Sequence, residues 1–271
     1  MECELELLER QCGERSEQPP LLFVHGSGHA AWCWDEHFLD FFAERGFSSY
    51  AVSLRGHGNS GGLERLRWVS VAQYVSDVAR VAARLPRAPI VVGHSLGGLV
   101  VQKYLENHEA PAAVLLAPSP VVGMLRPGVR LFLQNPWLFM RAHLTLEPST
   151  LFSTPELARK FLFSPDLSEE QVQRYAGRLG RESFRAYLET MYNLPTPERI
   201  RGTPMLVLGG SLDYLIPPSE IRSTADACHA ESKIVPGLGH DLMLDAGWER
   251  AADVLQEWLV RTLAPSSAGS Q

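Results

Sequence analysis

Short apolar runs alternate with amphipathic stretches along most of the chain. Runs such as Leu21-Leu22-Phe23-Val24 and Ala113-Val114-Leu115-Leu116 are continuous and are followed by glycine or proline. Such runs are typical of strands buried on both faces of a parallel sheet. Strands are predicted at 2–9 (an edge strand), 21–24, 50–54, 90–92, 113–116, 205–208 and 232–235. Helices are predicted at 35–45, 70–85, 99–107, 219–229 and 247–263. This alternation predicts an α/β fold with a mostly parallel central sheet flanked by helices.

The alternation stops between residues 120 and 197, where no strand-like run occurs. This stretch is rich in Leu, Phe, Met, Arg and Glu. It contains helix-start patterns at Thr154-Pro155-Glu156 and Ser168-Glu169-Glu170. We therefore expect a helical insertion at 120–197 in a core formed by 1–119 and 198–264, and a disordered tail at 265–271.

The segment Gly93-His94-Ser95-Leu96-Gly97 lies between a predicted strand and a predicted helix. This is the G-x-S-x-G pattern in the strand–turn–helix setting that it requires. Glycine removes the Cβ atoms that would collide in so tight a turn. The turn lifts the Ser95 hydroxyl above the sheet, and the helix N-terminus offers N–H groups to an oxyanion. Ser95 is therefore the predicted nucleophile.

A serine nucleophile needs a base, and the base needs an acid that orients it. In this architecture the chain order is serine, acid, histidine. Asp213 and His240 follow Ser95 in this order, and each comes shortly after a predicted strand. We predict Asp213 as the acid and His240 as the base, with Asp245 and Glu220 as rival acids.

The segment Val24-His25-Gly26-Ser27-Gly28 also stands at the end of a predicted strand. Its glycines let the backbone bend so that an N–H group points into the site. The oxyanion hole is predicted to consist of the backbone N–H groups of Ser27 and Leu96. His25 is expected to hold this loop by hydrogen bonding, in preference to acting as a second base or a metal ligand.

Together these motifs resemble the α/β-hydrolase superfamily over most of the chain. The resemblance includes Arg55-Gly56-His57-Gly58-Asn59-Ser60, a loop that is structural in such enzymes, so His57 is expected to be structural. The stretch from Ser27 to Trp34 is similar to that of plant methylesterases and hydroxynitrile lyases. The 55–60 loop is similar to that of bacterial esterases and monoacylglycerol-lipase-like members.

This resemblance implies that the insertion at 120–197 is the helical lid of the family. Its apolar side chains include Leu133, Trp137, Phe139 and Met140. They are predicted to line an apolar acyl or alcohol pocket over Ser95. The alternative is that they only pack the lid against the sheet.

The amino-acid composition excludes several classes of binding partner and cofactor. The 271 residues carry 25 Lys and Arg against 31 Asp and Glu, a net charge of −6, and 45% are hydrophobic. Nucleic-acid binding is not expected, because it requires a basic surface. The four cysteines form no CxxC pair and the histidines no H-E-x-x-H motif, so neither disulfides nor a metal are expected. No signal peptide or run of ~18 apolar residues is present, which predicts a cytoplasmic protein without stable membrane insertion.

The sequence thus predicts a cofactor-free serine hydrolase that cleaves small-molecule carboxylic esters with an apolar acyl or alcohol part. One alternative keeps the triad and changes the bond to a lactone, thioester, C–C or cyanohydrin bond. Another alternative is a receptor that binds a small molecule in the pocket. Likeness of fold does not separate these hypotheses.

Overall fold

The computed structural model describes residues 3–13, 18–200 and 202–264. Its strands are β1 (Leu7–Arg10), β2 (Leu21–Val24), β3 (Ser49–Val52), β4 (Ile90–His94), β5 (Ala113–Leu116), β6 (Met205–Gly210) and β7 (Glu231–Val235). Its α-helices are α1 (Trp32–Asp35), α2 (Phe38–Ala43), α3 (Val71–Ala82), α4 (Leu96–Leu105), α5 (Leu125–Gln134), α6 (Pro136–Thr145), α7 (Pro155–Leu162), α8 (Glu169–Ala176), α9 (Phe184–Tyr192), α10 (Pro218–Ala227) and α11 (Trp248–Leu263). Short 3-10 helices span Leu63–Trp68, Pro148–Phe152 and Pro197–Arg199. The tail predicted at 265–271 lies outside the described residues.

The strands form a single sheet in the order β1-β3-β2-β4-β5-β6-β7. β1 is antiparallel to β3, and all the other neighbouring pairs are parallel. This confirms the predicted fold class, a mostly parallel sheet flanked by helices. Because parallel strands end at the same edge, the turns that follow β2, β4 and β6 lie near one another.

Both faces of the sheet are covered. In β2, Leu21 and Phe23 belong to one buried cluster, whereas Leu22 and Val24 belong to another. This division follows the period of two in a strand, which sends successive side chains to opposite faces. A strand that is buried on both sides must be apolar at every position, and this explains the continuous apolar runs in the sequence.

Most element bounds differ from the predicted ones by one to three residues, and two elements differ more. The edge strand expected at 2–9 occupies Leu7–Arg10 among the described residues. The helix expected at 35–45 is two helices, α1 and α2, which are separated near His37, whose backbone is non-helical (φ −147°, ψ −52°). The four cysteines are free thiols. In the described part of the chain, no helix combines the length and apolar character needed to cross a bilayer.

Among the described residues between β5 and β6 the structure has helices α5 to α9 and no strand. They do not form a separate core, because Leu131, Leu151 and Phe161 belong to the same buried cluster as Phe23 of β2. Ala186 of α9 belongs to the cluster on the other face of the sheet, so the segment is continuous with the core of the sheet domain.

A buried carboxylate fastens this helical segment to the loops at the sheet edge. Glu182 accepts hydrogen bonds from the Tyr74 hydroxyl (2.8 Å) and the Gly28 N–H (3.2 Å). Its Oε2 also lies 3.4 Å from Nε2 of His57. Burial raises the pKa of Glu182, but the His57 charge and the hydrogen bonds outweigh it, so that the net shift is downward. His57 thus pairs with the helical segment and holds the 55–60 loop against it.

The turn between β4 and α4 leaves no space for a side chain at Gly93, and a substitution there tests this. Gly93→Ala would place a Cβ 2.5 Å from the Gly97 carbonyl oxygen and 2.8 Å from Cγ2 of Val101. Because the backbone here has no room to move, we expect a loss of about 1–3 kcal/mol of unfolding free energy. Thermal unfolding followed by circular dichroism should show a Tm lower by several degrees. Gly13→Ala, where an added Cβ meets no atom within 4 Å, is the control and should leave Tm unchanged.

Candidate active site

Ser95 stands at a strained turn between β4 and α4. Its backbone has φ 50° and ψ −115°, a conformation that is costly for a residue with a side chain. The Ser95 N–H donates to the Leu116 carbonyl (3.0 Å), and the Ser95 carbonyl accepts from Ser119 (3.0 Å), so β5 holds the turn from both sides. At Gly97 any Cβ would overlap the carbonyl oxygens of Val24 and His25. The α4 N-terminus therefore approaches β2 more closely than a side chain would allow.

Ser95, His240 and Asp213 form a continuous hydrogen-bonded chain. Ser95 Oγ lies 3.0 Å from His240 Nε2, and His240 Nδ1 lies 2.8 Å from Asp213 Oδ2. The other carboxylate oxygen, Oδ1, accepts the N–H groups of Leu215 and Ile216, both at 2.8 Å. A carboxylate only accepts hydrogen bonds, so Nδ1 of His240 carries the proton and Nε2 is free to accept from Ser95. The arrangement suits removal of the serine proton by the imidazole.

His240 is buried, with 2% of its surface exposed, and its electrostatics favour the protonated ring. Burial lowers the pKa of His240, but the Asp213 charge and hydrogen bond, together with the Asp241 charge, outweigh burial. The net pKa is therefore raised above the ordinary histidine value. The same charges would stabilise the imidazolium that forms when the ring takes a proton from Ser95.

The rival acids do not contact the His240 ring. Asp245 accepts hydrogen bonds from Ser164 Oγ (2.6 Å) and from the N–H groups of Ser164 (2.9 Å), Gly239 (2.7 Å) and Ala246 (2.9 Å). Asp245 thus connects the loop that contains His240 with the residues that follow α7. Glu220 lies in the first turn of α10.

The predicted oxyanion donors lie beside the nucleophile. Ser27 and Leu96 line the same cavity as Ser95. Leu96 is the first residue of α4, and first-turn N–H groups have no acceptor within their own helix. His25 donates from Nδ1 to the Gly26 carbonyl (2.8 Å) and accepts the Leu54 N–H at Nε2 (3.0 Å). Burial lowers the pKa of His25 well below its ordinary value, which matches a neutral ring that ties two loops together.

Sequence reasoning missed a buried network beneath the triad. His29 Nε2 lies 2.9 Å from Asp241 Oδ2, and its Nδ1 lies 2.9 Å from the Ser27 carbonyl oxygen. His94 Nε2 lies 3.1 Å from the His240 carbonyl oxygen and 3.5 Å from Asp241 Oδ1. The only sequence signal was the position of these residues next to the three motifs, because Asp241 and His29 are 212 positions apart.

Three residues of this region, His94, His240 and Asp241, place possible metal-ligand atoms within 4.8 Å of one another. Each of them is already engaged: His240 by Ser95 and Asp213, Asp241 by His29, and His94 by a backbone carbonyl. Binding a cation here would break the hydrogen bonds of the triad. The donor set therefore fits an imidazole–carboxylate network better than a metal site.

A cavity of about 790 Å³, counted with its open mouth, lies over Ser95. Most of its walls come from the helical segment between β5 and β6 and are apolar: Met124, Pro127, Leu131, Pro148, Leu151, Phe152 and Met191. Polar groups also reach it from Arg130, Tyr187, Thr190 and Tyr214. Burial raises the pKa of Tyr187 to about 12, so its hydroxyl stays neutral. The cavity is shaped for a largely apolar guest with a few polar atoms.

Comparison with known proteins agrees with this geometry. Residues 21–255 match the model of a family described as alpha/beta hydrolases. The chain belongs to the alpha/beta hydrolase family.

Curated relatives of this hydrolase carry different activities in their names. A monoacylglycerol lipase of Mycolicibacterium smegmatis is 26% identical over 270 residues, which cover 90% of this chain and 88% of that protein. A non-heme haloperoxidase of Rhodococcus erythropolis is 26% identical over 248 residues, covering 82% and 86%. A pFDCC methylesterase of Arabidopsis thaliana is 25% identical over 252 residues, covering 83% and 93%. Each alignment covers more than four fifths of both chains.

The apolar residues predicted to line the pocket of this hydrolase lie elsewhere, and the prediction is corrected here. Leu133, Trp137 and Met140 are exposed to solvent by 73%, 79% and 42%. Phe139 packs inside the helical segment, stacked on His143 with ring centroids 4.0 Å apart. None of the four lines the cavity over Ser95.

The reason is helix geometry. Leu131 of α5 faces the cavity, and Leu133 is two residues further on, about 200° around a helix of 3.6 residues per turn. Leu133 therefore lies on the opposite face. The sequence pattern identifies both as apolar but does not tell which of the two faces inward.

The identity of the acid can be tested by a matched pair of substitutions. Asp213→Asn should slow labelling of Ser95 by a fluorophosphonate about 10³–10⁴-fold, because the amide no longer selects the reactive tautomer of His240. Asp245→Asn should instead lower the unfolding free energy by about 1–3 kcal/mol, since a buried carboxylate with four donors is lost.

Labelling is followed by mass spectrometry and stability by thermal unfolding. At temperatures where Asp245→Asn is folded, its labelling should be slowed far less than that of Asp213→Asn. The assignment of Asp213 fails if the two variants lose labelling equally under these conditions.

Proposed function

We propose that this chain is a serine hydrolase that cleaves carboxylic esters with an apolar acyl or alcohol part through an acyl-enzyme. The observation that carries the proposal is the hydroxyl–imidazole–carboxylate chain, at 3.0 and 2.8 Å, opening into an apolar cavity. The helices between β5 and β6 act as the lid of this site, and the lid supplies most of the cavity wall.

Acylation begins when His240 Nε2 takes the proton of Ser95 Oγ and the oxygen attacks the ester carbonyl carbon. The negative charge that develops on the carbonyl oxygen is stabilised by the N–H groups of Ser27 and Leu96. His240 then gives its proton to the alcohol oxygen as the C–O bond breaks. Asp213 remains ionised and stabilises the imidazolium throughout.

Deacylation repeats the sequence with water. His240 takes a proton from a water molecule, whose oxygen attacks the acyl carbon on Ser95. The bond to Ser95 Oγ breaks, the serine recovers its proton from His240, and the carboxylic acid leaves. No redox step or external group is required.

Two kinds of evidence favour an ester over other bonds. The lipase and methylesterase among the relatives are named for ester substrates, although the haloperoxidase shows that the same family includes another reaction. The cavity is largely apolar, and it places few charged groups near Ser95 that would select a strongly polar substrate. Cleavage of a lactone, thioester, C–C or cyanohydrin bond remains the alternative use of the triad, and ligand binding without turnover is the other.

A substrate panel tests the proposal. Turnover should be measured on p-nitrophenyl esters from acetate to decanoate, beside a lactone and a thioester. Hydrolysis of the esters alone supports the proposal, and Ser95→Ala should abolish it while keeping the wild-type Tm. Turnover confined to the lactone or thioester would assign another bond. Binding of these compounds with no turnover of any would favour a receptor.

The pH dependence of the reaction follows from the environment of His240. The base must be neutral, so kcat/KM should fall about tenfold per pH unit below its pKa. Since that pKa is raised, the acidic limb should have its midpoint above the ~6.5 of an ordinary histidine. Asp241→Asn removes a negative charge that raises the pKa of His240, so the midpoint of the acidic limb should move to lower pH. A wild-type midpoint below 6 would contradict this account.

Gly128 lines the cavity, and a Cβ added there would meet no atom within 4 Å. A larger residue at this position therefore tests whether the acyl chain lies against this wall. Gly128→Leu should fill the space and lower kcat/KM for an octanoate ester at least fivefold relative to acetate. It should not lower Tm, because leucine favours a helix over glycine by about 0.8 kcal/mol. Leu133→Ala, on the exposed face, is the control and should leave the octanoate-to-acetate ratio unchanged. An equal loss on both esters in Gly128→Leu would exclude this wall from the acyl site.

A further inference from the structure

Large apolar side chains are exposed on one small part of the molecule. Among the described residues fourteen large apolar side chains are exposed, and eight of them lie between 122 and 144. These eight are Val122, Leu125, Val129, Phe132, Leu133, Trp137, Met140 and Leu144. A contiguous exposed apolar patch on a protein surface marks a site of interaction.

The patch is arranged by helix periodicity. Leu125, Val129 and Leu133 are spaced by four residues and lie on one side of α5. Trp137, Met140 and Leu144 are spaced by three and four on α6, which follows α5 after Asn135 alone. We call the exposed side of these two helices the hairpin face, with the eight side chains named above as its apolar residues.

The charge of this segment is opposite to that of the chain. Between Glu109 and Glu147 there is no Asp or Glu, whereas Arg126, Arg130 and Arg141 are present. The whole chain has a net charge of −6. Exposed apolar side chains on adjacent helices, with arginine as the only side chain that always carries a charge, suit a segment that lies in an anionic lipid interface.

The hairpin face is continuous with the cavity over Ser95. On α5, Pro127, Gly128 and Leu131 line the cavity. An exposed groove on the same helix is lined by Leu125, Val129 and Leu133 among others, and Arg130 lines both the groove and the cavity. A surface that covers the hairpin face would therefore lie directly beside the entrance to the site.

We propose that the hairpin face docks on a lipid surface that carries anionic headgroups. The aliphatic and aromatic side chains enter the interface, while Arg126 and Arg141, both exposed, contact the headgroups. Docking is peripheral, since no described helix has the length and apolar character to span a bilayer. The docking does not depend on the proposed function, which only supplies the reason why apolar esters would be drawn from such a surface.

A second copy of the chain is a less suitable occupant. A two-fold interface places the same patch on both sides, so the exposed Arg126 and Arg141 would face their own copies with no acidic residue of the segment to pair with them. An anionic lipid surface satisfies both the apolar side chains and the positive charge.

Vesicle flotation of the full chain tests the proposal. The Ser95→Ala protein is used, so that binding is measured without turnover. It should float with vesicles of 70% phosphatidylcholine and 30% phosphatidylglycerol and float at least tenfold less with phosphatidylcholine alone. Val129→Glu combined with Trp137→Glu should reduce flotation at least tenfold. Val260→Glu is the matched control and should float as the parent does, because Val260 of α11 is as exposed (57%) as Val129 (51%).

The charge is tested separately. Arg126→Gln and Arg141→Gln should each weaken binding to the anionic vesicles about fivefold, as expected for about 1 kcal/mol per arginine at such a surface. Arg84→Gln, on an exposed residue outside the segment, should have no effect. All variants should retain the parent Tm, and those rebuilt with Ser95 should hydrolyse a dissolved acetate ester at the parent rate.

The proposal is overturned if the parent fails to float, or if Val260→Glu and the hairpin variants lose flotation equally. Equal binding to neutral vesicles would overturn the role of the arginines. Concentration-dependent dimerisation in sedimentation that Val129→Glu abolishes, without flotation, would assign the face to a second copy instead. Flotation without ester turnover would contradict the proposed function but not the docking.

Discussion

The buried ion pair between Asp241 and His29 joins the three loops on which the site depends. Asp241 follows His240, His29 holds the Ser27 carbonyl, and His94, which precedes Ser95, lies 3.5 Å from the same carboxylate. His29 lies between two oxygen atoms, Oδ2 of Asp241 and the carbonyl oxygen of Ser27. Burial raises the pKa of Asp241, but the charge and hydrogen bond of His29 bring its net shift downward. Because an unpaired buried charge is costly, neither residue moves without the other, and base, nucleophile and oxyanion loop keep one arrangement.

The core and the hydrogen-bonded chain of Ser95, His240 and Asp213 could be predicted from the sequence because their constraints are local. A strand buried on both faces must be apolar throughout, and the turn at Ser95 must have glycine on both sides. Each of these requirements is therefore visible as a short pattern in the sequence. The order of Ser95, Asp213 and His240 follows from the order of the strands that precede them. The Asp241–His29 pair could not be predicted in this way, because it joins loops that are 212 positions apart and no local pattern relates the two residues.

The lining of the cavity was harder to predict because it depends on how each helix is rotated about its own axis. The residue types in the helix do not determine that rotation. In α5 the buried Leu131 and the exposed Leu133 are the same residue type two positions apart. Nothing in an alternation of apolar and polar residues gives the absolute direction of a helix face when both faces are apolar. The direction is set by tertiary contacts, such as the hydrogen bonds from Arg130 to the carbonyls of Tyr214 and Leu215, both 2.8 Å.

The loops that carry Ser95 and His240 and the walls of the cavity are built in different ways. The catalytic loops are fixed by backbone contacts with no room for a side chain, as where a Cβ at Gly239 would lie 2.8 Å from the Leu162 carbonyl oxygen. The cavity, in contrast, is walled by side chains of inserted helices, which can be exchanged without moving that backbone. Relatives at 25–26% identity are accordingly named for different activities, as a lipase, a haloperoxidase and a methylesterase. In this chain the ten residues of α5 present one face to the cavity and the other to solvent. With the proposed function and the proposed docking, the choice of substrate and the route by which it arrives would depend on the same helix. A substitution on one face of α5 would then change one of these properties without disturbing the hydrogen bonds of Ser95, His240 and Asp213.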